Sequence, residues 1–319
     1  MDGLPQSLTL QTAMQVQRTL GGSIACVGVG LHSGRKTNLV LHPLPAGSGI
    51  VFRRTDLNPA LGPTDIPARF DHVVDTRLCT VIGHPARPEC RVGTIEHLMA
   101  ALAGFGIDNA LVEIDAPEVP ILDGSAADFA FLITCAGVVE QHDPITEIEV
   151  LRTVRVEQGE AFAELRPNAL GFDMALSIDF DAPAIGRQAY SMRLSPEAFR
   201  TELADSRTFT MVQEVEAMRA MGLALGGSLD NAIVVDGAKI LNPTGLRSPD
   251  EFVRHKMLDA VGDLALSGAP LRARFVAHRT GHALNNKLLR ALFADDANWR
   301  LVVGNAAASP LWQPISVAA

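Results

Sequence analysis

Residues 251–293 read EFVRHKMLDAVGDLALSGAPLRARFVAHRTGHALNNKLLRALF, which predicts a helix over 251–267, a strand over 271–277 and a helix over 282–293. The same order stands upstream. Residues 95–102 (IEHLMAAL) form a helical run with Thr94 as its expected N-cap. Residues 109–114 (NALVEI) read as a strand by their β-branched content, and Ser125 opens a helix over 126–136. Alternating residues 35–41 (RKTNLVL) give a half-buried strand before the first copy; strands over 148–156, 161–165 and 171–180 precede the second. Polar residues and a proline at 142–144 mark the expected boundary. Residues 211–221 predict a short helix ending at Gly222, followed by a strand over 232–235, as an insertion in the second copy. The halves share element order, not sequence. The expected fold is α+β: two similar two-layer α/β sandwich domains, 1–143 and 144–319, packed together with the active site at their interface.

Composition bounds the partners. With 47% hydrophobic and 20% charged residues, the 319-residue chain has ample material for a core. A net charge of -9 excludes general affinity for nucleic acid, while leaving room for a local basic pocket. The start, MDGLPQSLTLQTAMQVQRTL, lacks a basic region followed by an apolar run, so no signal peptide is expected. Nor is there the apolar run of about 18 residues that an integral membrane segment needs. Cys26, Cys79, Cys90 and Cys135 are scattered, as free thiols of a reducing compartment would be. A cytoplasmic location is expected.

Three weak patterns carry chemistry. His255 and Asp259 are four apart on one predicted helix, so both project from one face, with Asp263 a turn further on. Imidazole and carboxylate at that spacing can hold one divalent metal, although such pairs are commonly surface hydrogen bonds or caps. Glu96-His97 on the earlier helix reads equally as a solvated face. Yet His97 would complete a two-His, one-carboxylate set with a position open to water, and Glu96 could act as base. These groups come from different halves, whose interface is a natural place for a site. His282 follows Gly281 at a helix start. It reads either as a local hydrogen-bonding residue or as an imidazolium paired with Asp263, which would raise its pKa. His32, His42, His72, His84, His142 and His278 lack partners at ligand spacing. His32 sits in a glycine-rich stretch, GVGLHSG, without the spacing or the following helix of a nucleotide loop. HExxH is absent.

The stretches GVGLHSG (28–34), TIEHLMAAL (94–102), PILDGSA (120–126), RTF (207–209), GGSLDNAIVV (226–235), EFVRHKMLDAVGDL (251–264) and GHALNNKL (281–288) together resemble the UDP-3-O-acyl-N-acetylglucosamine deacetylases. That family performs the committed step of lipid A synthesis in Gram-negative bacteria. The resemblance covers nearly the whole chain, in order. It implies one catalytic Zn2+ per chain held by His97, His255 and Asp259, and Glu96 as general base. His282 would stabilise the oxyanion and serve as a candidate acid, oriented by Asp263; Thr208 would contact the reacting oxygen, and Lys256 the UDP-sugar. The insert after Arg207 is similar to the family's passage for the 3-O-acyl chain, with Phe209, Met211, Val215, Ala224, Gly227, Ser228 and Ala232 as its lining. Met211 and Val215, four apart, would share a helical face. The implied substrate is UDP-3-O-acyl-N-acetylglucosamine, and the chain is expected to act as a monomer. The rival reading is another metal-dependent amidohydrolase acting on a different amide.

Overall fold

The computed structural model describes residues 15–304. The stretch read as lacking a leader falls, up to Met14, outside the described residues, as does everything beyond Gly304.

Two sheets repeat one plan. In the first half, Ile24–Val29, Lys36–Pro43, Ala110–Ile114, Ile50–Arg54 and Asp65–Pro67 lie side by side in that order. They are joined antiparallel, antiparallel, parallel and antiparallel. In the second, Val154–Gln158, Ala161–Pro167, Leu271–His278, Phe172–Asp179 and Arg187–Arg193 follow the same sequence of pairings. The parallel pair in each sheet requires a long crossover. The first crossover carries helix α1 (Glu96–Gly104), and α2 (Ala127–Ala136) follows it. The second carries the single turn α3 (Pro196–Ala198), then α4 (Val212–Ala220) and α5 (Glu251–Leu264), and α6 (His282–Phe293) follows. The duplication expected from element order is therefore present strand by strand. Each crossover also holds a small three-stranded sheet, built in the first half from Val73–Asp75, Val81–His84 and Arg87–Val92. Its counterpart comprises Phe209–Met211, Ile233–Asp236 and Lys239–Ile240, with α4 alongside.

Two local readings differ in detail. Residues 142–144 are not a loop but end the strand Val138–Pro144, which pairs with Val16–Leu20. Polar side chains suit it because it lies in a two-stranded ribbon with a largely exposed surface. The single strand expected over 148–156 is two, Thr146–Val150 and Val154–Gln158, which pair with different neighbours.

Helices α1 and α5 pack against one another and are buried on nearly every side. Their sequences fit: Leu98, Met99, Ala100, Ala101 and Leu102 in α1 meet a core that includes Met257, Leu258, Ala260 and Val261 of α5. The helices come close at Gly262, where a Cβ would overlap the carbonyl of Glu96. Gly262→Ala is therefore expected to force the helices apart and to lower stability by about 1–3 kcal/mol, the usual penalty for overpacking. Urea denaturation checks this; a wild-type midpoint would mean the helix pair is looser than described.

Candidate active site

The helix crossing brings the three weak sequence patterns together. The first turn of α1 supplies Glu96 and His97; successive turns of α5 supply His255, Asp259 and Asp263; His282 begins α6. Thr94 does not cap α1. It adopts a left-handed backbone (φ 55°), and its hydroxyl donates to Glu118 Oε1 at 3.0 Å. A capping role would need an extended backbone and a side chain turned toward the helix, and neither is present.

His97, His255 and Asp259 are all buried, with their ligand atoms within 4.8 Å of one another. Nε2 of His97 and Nε2 of His255 lie 3.5 and 3.4 Å from Asp259 Oδ1. Tetrahedral zinc, with bonds of about 2.0–2.1 Å, spaces its ligand atoms by roughly 3.3–3.4 Å. The residues fit the ion. His255 Nδ1 donates to the carbonyl of Ser206 at 3.0 Å, which fixes the tautomer and leaves Nε2 its lone pair. Burial pushes the His255 pKa down to about 4, so the ring is neutral near pH 7, as a metal-binding imidazole must be. Burial works against the charge on Asp259, yet His255 and the Lys256 ammonium, 2.7 Å from Oδ2, hold its carboxyl well below the usual range.

A carboxyl and an imidazole flank this set. Burial raises the pKa of Glu96, whose Oε2 accepts the Thr80 N–H at 3.1 Å and whose Oε1 lies 3.7 Å from His282 Nε2. His282 Nδ1 donates to Asp263 Oδ2 at 2.9 Å. Burial alone would lower the His282 pKa; the Asp263 and Glu96 carboxylates overcome it and raise the pKa to about 9. In the metal-free protein the ring should therefore stay charged through neutrality. Because that value exceeds the ordinary 6.5, the charge stabilises the fold fully below about pH 6.5 and ceases to do so as pH rises through 9. Imidazole NMR resonances of the metal-free protein, titrated from pH 5 to pH 10, should show His282 changing state near 9; a midpoint below 7 would contradict this.

Residues 17–294 match the family of UDP-3-O-acyl N-acetylglycosamine deacetylases. The chain belongs to that family. It is 49% identical over 291 residues to the UDP-3-O-acyl-N-acetylglucosamine deacetylase of Shewanella frigidimarina (strain NCIMB 400), covering 91% of this chain and 93% of the relative. With the enzyme of the same name from Acidithiobacillus ferrooxidans (strain ATCC 53993 / BNL-5-31) it shares 51% identity over 288 residues, 90% and 92% of the two chains.

The cleft of this deacetylase-family chain is lined by Glu96, His97, Thr208, Phe209, Met211, His255, Lys256, Asp259 and His282. Thr208 is clamped by its backbone: its N–H donates to Gly124 O, and its carbonyl accepts from Ile233 N, both at 2.8 Å. Phe209 meets Phe180, Phe252 and His255 edge-on. Met211 precedes α4 in an extended conformation, its N–H held by Glu214, so Met211 and Val215 do not share a helical face. Val215, Ala224, Gly227, Ser228 and Ala232 lie on the same insert but outside this lining.

Sequence reasoning passed over several residues that shape the cleft. His32 lines it, and neither ring nitrogen has a hydrogen-bond partner among the described residues. Its loop is tied down by Glu118, which accepts the backbone N–H groups of His32 and Ser33 at 2.8 Å each. The glycine-rich setting was the available signal for His32. By contrast His42, His72, His84 and His278 make ordinary local or cross-strand hydrogen bonds. Thr80, Glu118 and Asn285 carried no sequence signal, because each acts through tertiary contacts.

Proposed function

We propose that this chain hydrolyses the N-acetyl group of UDP-3-O-acyl-N-acetylglucosamine, releasing acetate in the committed step of lipid A synthesis, with one Zn2+ held by His97, His255 and Asp259. The observation that carries the proposal is the convergence, in one cleft of a deacetylase-family chain, of that buried set with Glu96 and a doubly anchored His282. Bound zinc would supply Lewis acidity and bring the pKa of a coordinated water towards about 7.

The chain's own groups account for the remaining chemistry. Glu96 takes the proton as water oxygen adds to the acetyl carbonyl. Protonated His282 and Thr208 face the oxygen on which negative charge develops, where a preorganised donor is worth most. The proton then passes to the sugar nitrogen, the C–N bond breaks and acetate leaves. Asp263 keeps His282 oriented and charged. Lys256 belongs on the UDP-sugar side. Phe209, Met211, Val215, Ala224, Gly227, Ser228 and Ala232 belong to the acyl side, although only Phe209 and Met211 line the present cleft. A division at 143/144, a monomeric state and a cytoplasmic location form part of the same proposal. No described helix is long and apolar enough to cross a membrane.

Acetate release from UDP-3-O-acyl-N-acetylglucosamine, compared with the same UDP-sugar lacking the acyl chain, tests the assignment. Clear preference for the acylated substrate is expected. Equal turnover of both, or of an unrelated acetamide alone, would favour the rival amidohydrolase.

A further inference from the structure

We infer that Thr80 is a positioning residue for the deacetylation proposed above, on which this inference rests: it sets Asp263, and through it His282, against Glu96. Thr80 lies between the strands Val73–Asp75 and Val81–His84 of the first half and is 1% exposed. Its backbone and side chain serve opposite sides of the site. The N–H donates to Glu96 Oε2 at 3.1 Å, while the hydroxyl donates to Asp263 Oδ1 at 2.5 Å across 183 residues of sequence. The Thr80 carbonyl also accepts the N–H of Ile95, the residue before α1.

Asp263 has two oxygens to satisfy. Oδ2 accepts from His282 Nδ1 and Asn285 Nδ2, each at 2.9 Å, both from α6. Oδ1 is held by Thr80 from the opposite half of the molecule. Three donors on two oxygens fix the rotation of the carboxylate, and the imidazole hydrogen-bonded to it inherits that orientation. Without the hydroxyl, Oδ1 is a buried acceptor lacking this donor, and the carboxylate can turn away from His282. Because the same residue also grips Glu96, the base on α1 and the His282 pair on α5 and α6 are placed relative to one another by one side chain and its own backbone. Thr80 does not line the cleft and touches no substrate, so its effect should fall on turnover.

The distinction lies in one hydroxyl. Thr80→Val keeps shape and backbone but removes the donor; Thr80→Ser restores it. In the zinc-loaded full-length protein assayed on UDP-3-O-acyl-N-acetylglucosamine, Thr80→Val is expected to lower kcat by about 10- to 100-fold, as small misplacements of reacting groups do. KM and zinc content should stay within about 2-fold, and Thr80→Ser should recover kcat to within about 3-fold of wild type. On an Asp263→Asn background the valine effect should shrink to less than about 2-fold, since the two positions act as one unit. Should valine disturb folding, Thr80→Ala against Thr80→Ser makes the same comparison. Wild-type kcat in Thr80→Val, a change confined to KM, or an equal loss with and without Asp263 would each overturn the inference. An inactive wild-type protein would instead overturn the functional proposal, and this inference with it.

Discussion

Glu96→Gln is expected to lower kcat by about 10²–10⁴-fold, the range that general acid–base assistance contributes. The substitution is a demanding probe because it changes little else. Glu96 is 4% exposed, and its Oε2 accepts the Thr80 N–H, a bond that a glutamine oxygen can keep. The neighbouring His97 imidazole is unaltered, so zinc content should stay at one ion per chain. What disappears is the ability to take a proton at a site where burial raises the carboxyl pKa above its usual value. His282 gives the contrasting case. In the metal-free site the Asp263 and Glu96 carboxylates raise its pKa to about 9, and in the proposed reaction the ring serves to stabilise or donate. His282→Gln should therefore cost turnover across the neutral range, whereas Glu96→Gln should remove the rising limb of the pH–rate profile. Steady-state kinetics across pH 5–9 separates the two. Retention of that limb in Glu96→Gln would move the base elsewhere.

How far the site was legible in sequence depended on whether its parts lay on one element. His255, Asp259 and Asp263 were readable because helical spacing alone puts them on one face, and α5 forms as expected. His97 and Glu96 were readable as a pair on α1, and the chemistry of a two-His, one-carboxylate set suggested joining them to α5, which the family resemblance then supported; their meeting depends on a Gly262 contact that no local pattern reveals. The helices and central strands of both halves were found by periodicity. The missed strands, such as Ile50–Arg54, Arg87–Val92 and Arg187–Arg193, are short or rich in arginine and glutamate that pair on the sheet face. Arg53 with Asp65, and Arg193 with Asp173, are polar positions made compatible with a sheet by a cross-strand partner. Thr94 failed as a cap for a related reason: its hydroxyl is engaged by Glu118, 24 residues away.

Removal of the metal should abolish activity while leaving the fold in place, and the two polar anchors of the ligand set say why. In the metal-free site His255 keeps its bond to Ser206 O, and Asp259 keeps Lys256 at 2.7 Å. These two anchors remain when the ion is absent, and the neutral His255 ring is tolerable without it. Chelation should accordingly give a folded, inactive protein that recovers with about one equivalent of zinc. Asp259→Ala should behave differently. It deletes a ligand and also strands the Lys256 ammonium, whose side chain is 18% exposed. Breaking a buried pair by removing one partner costs about 3–5 kcal/mol, and this partial exposure puts the expected loss at or below the low end. The comparison must be made between metal-free proteins, so that lost zinc binding does not enter the difference. On that footing Asp259→Ala should unfold at lower urea than wild type, and adding Lys256→Met should recover most of the loss without restoring zinc. If chelated wild type is itself unfolded, the ion is a structural element rather than a catalytic one; if Lys256→Met recovers nothing, the Asp259–Lys256 pair is not what holds the empty site together.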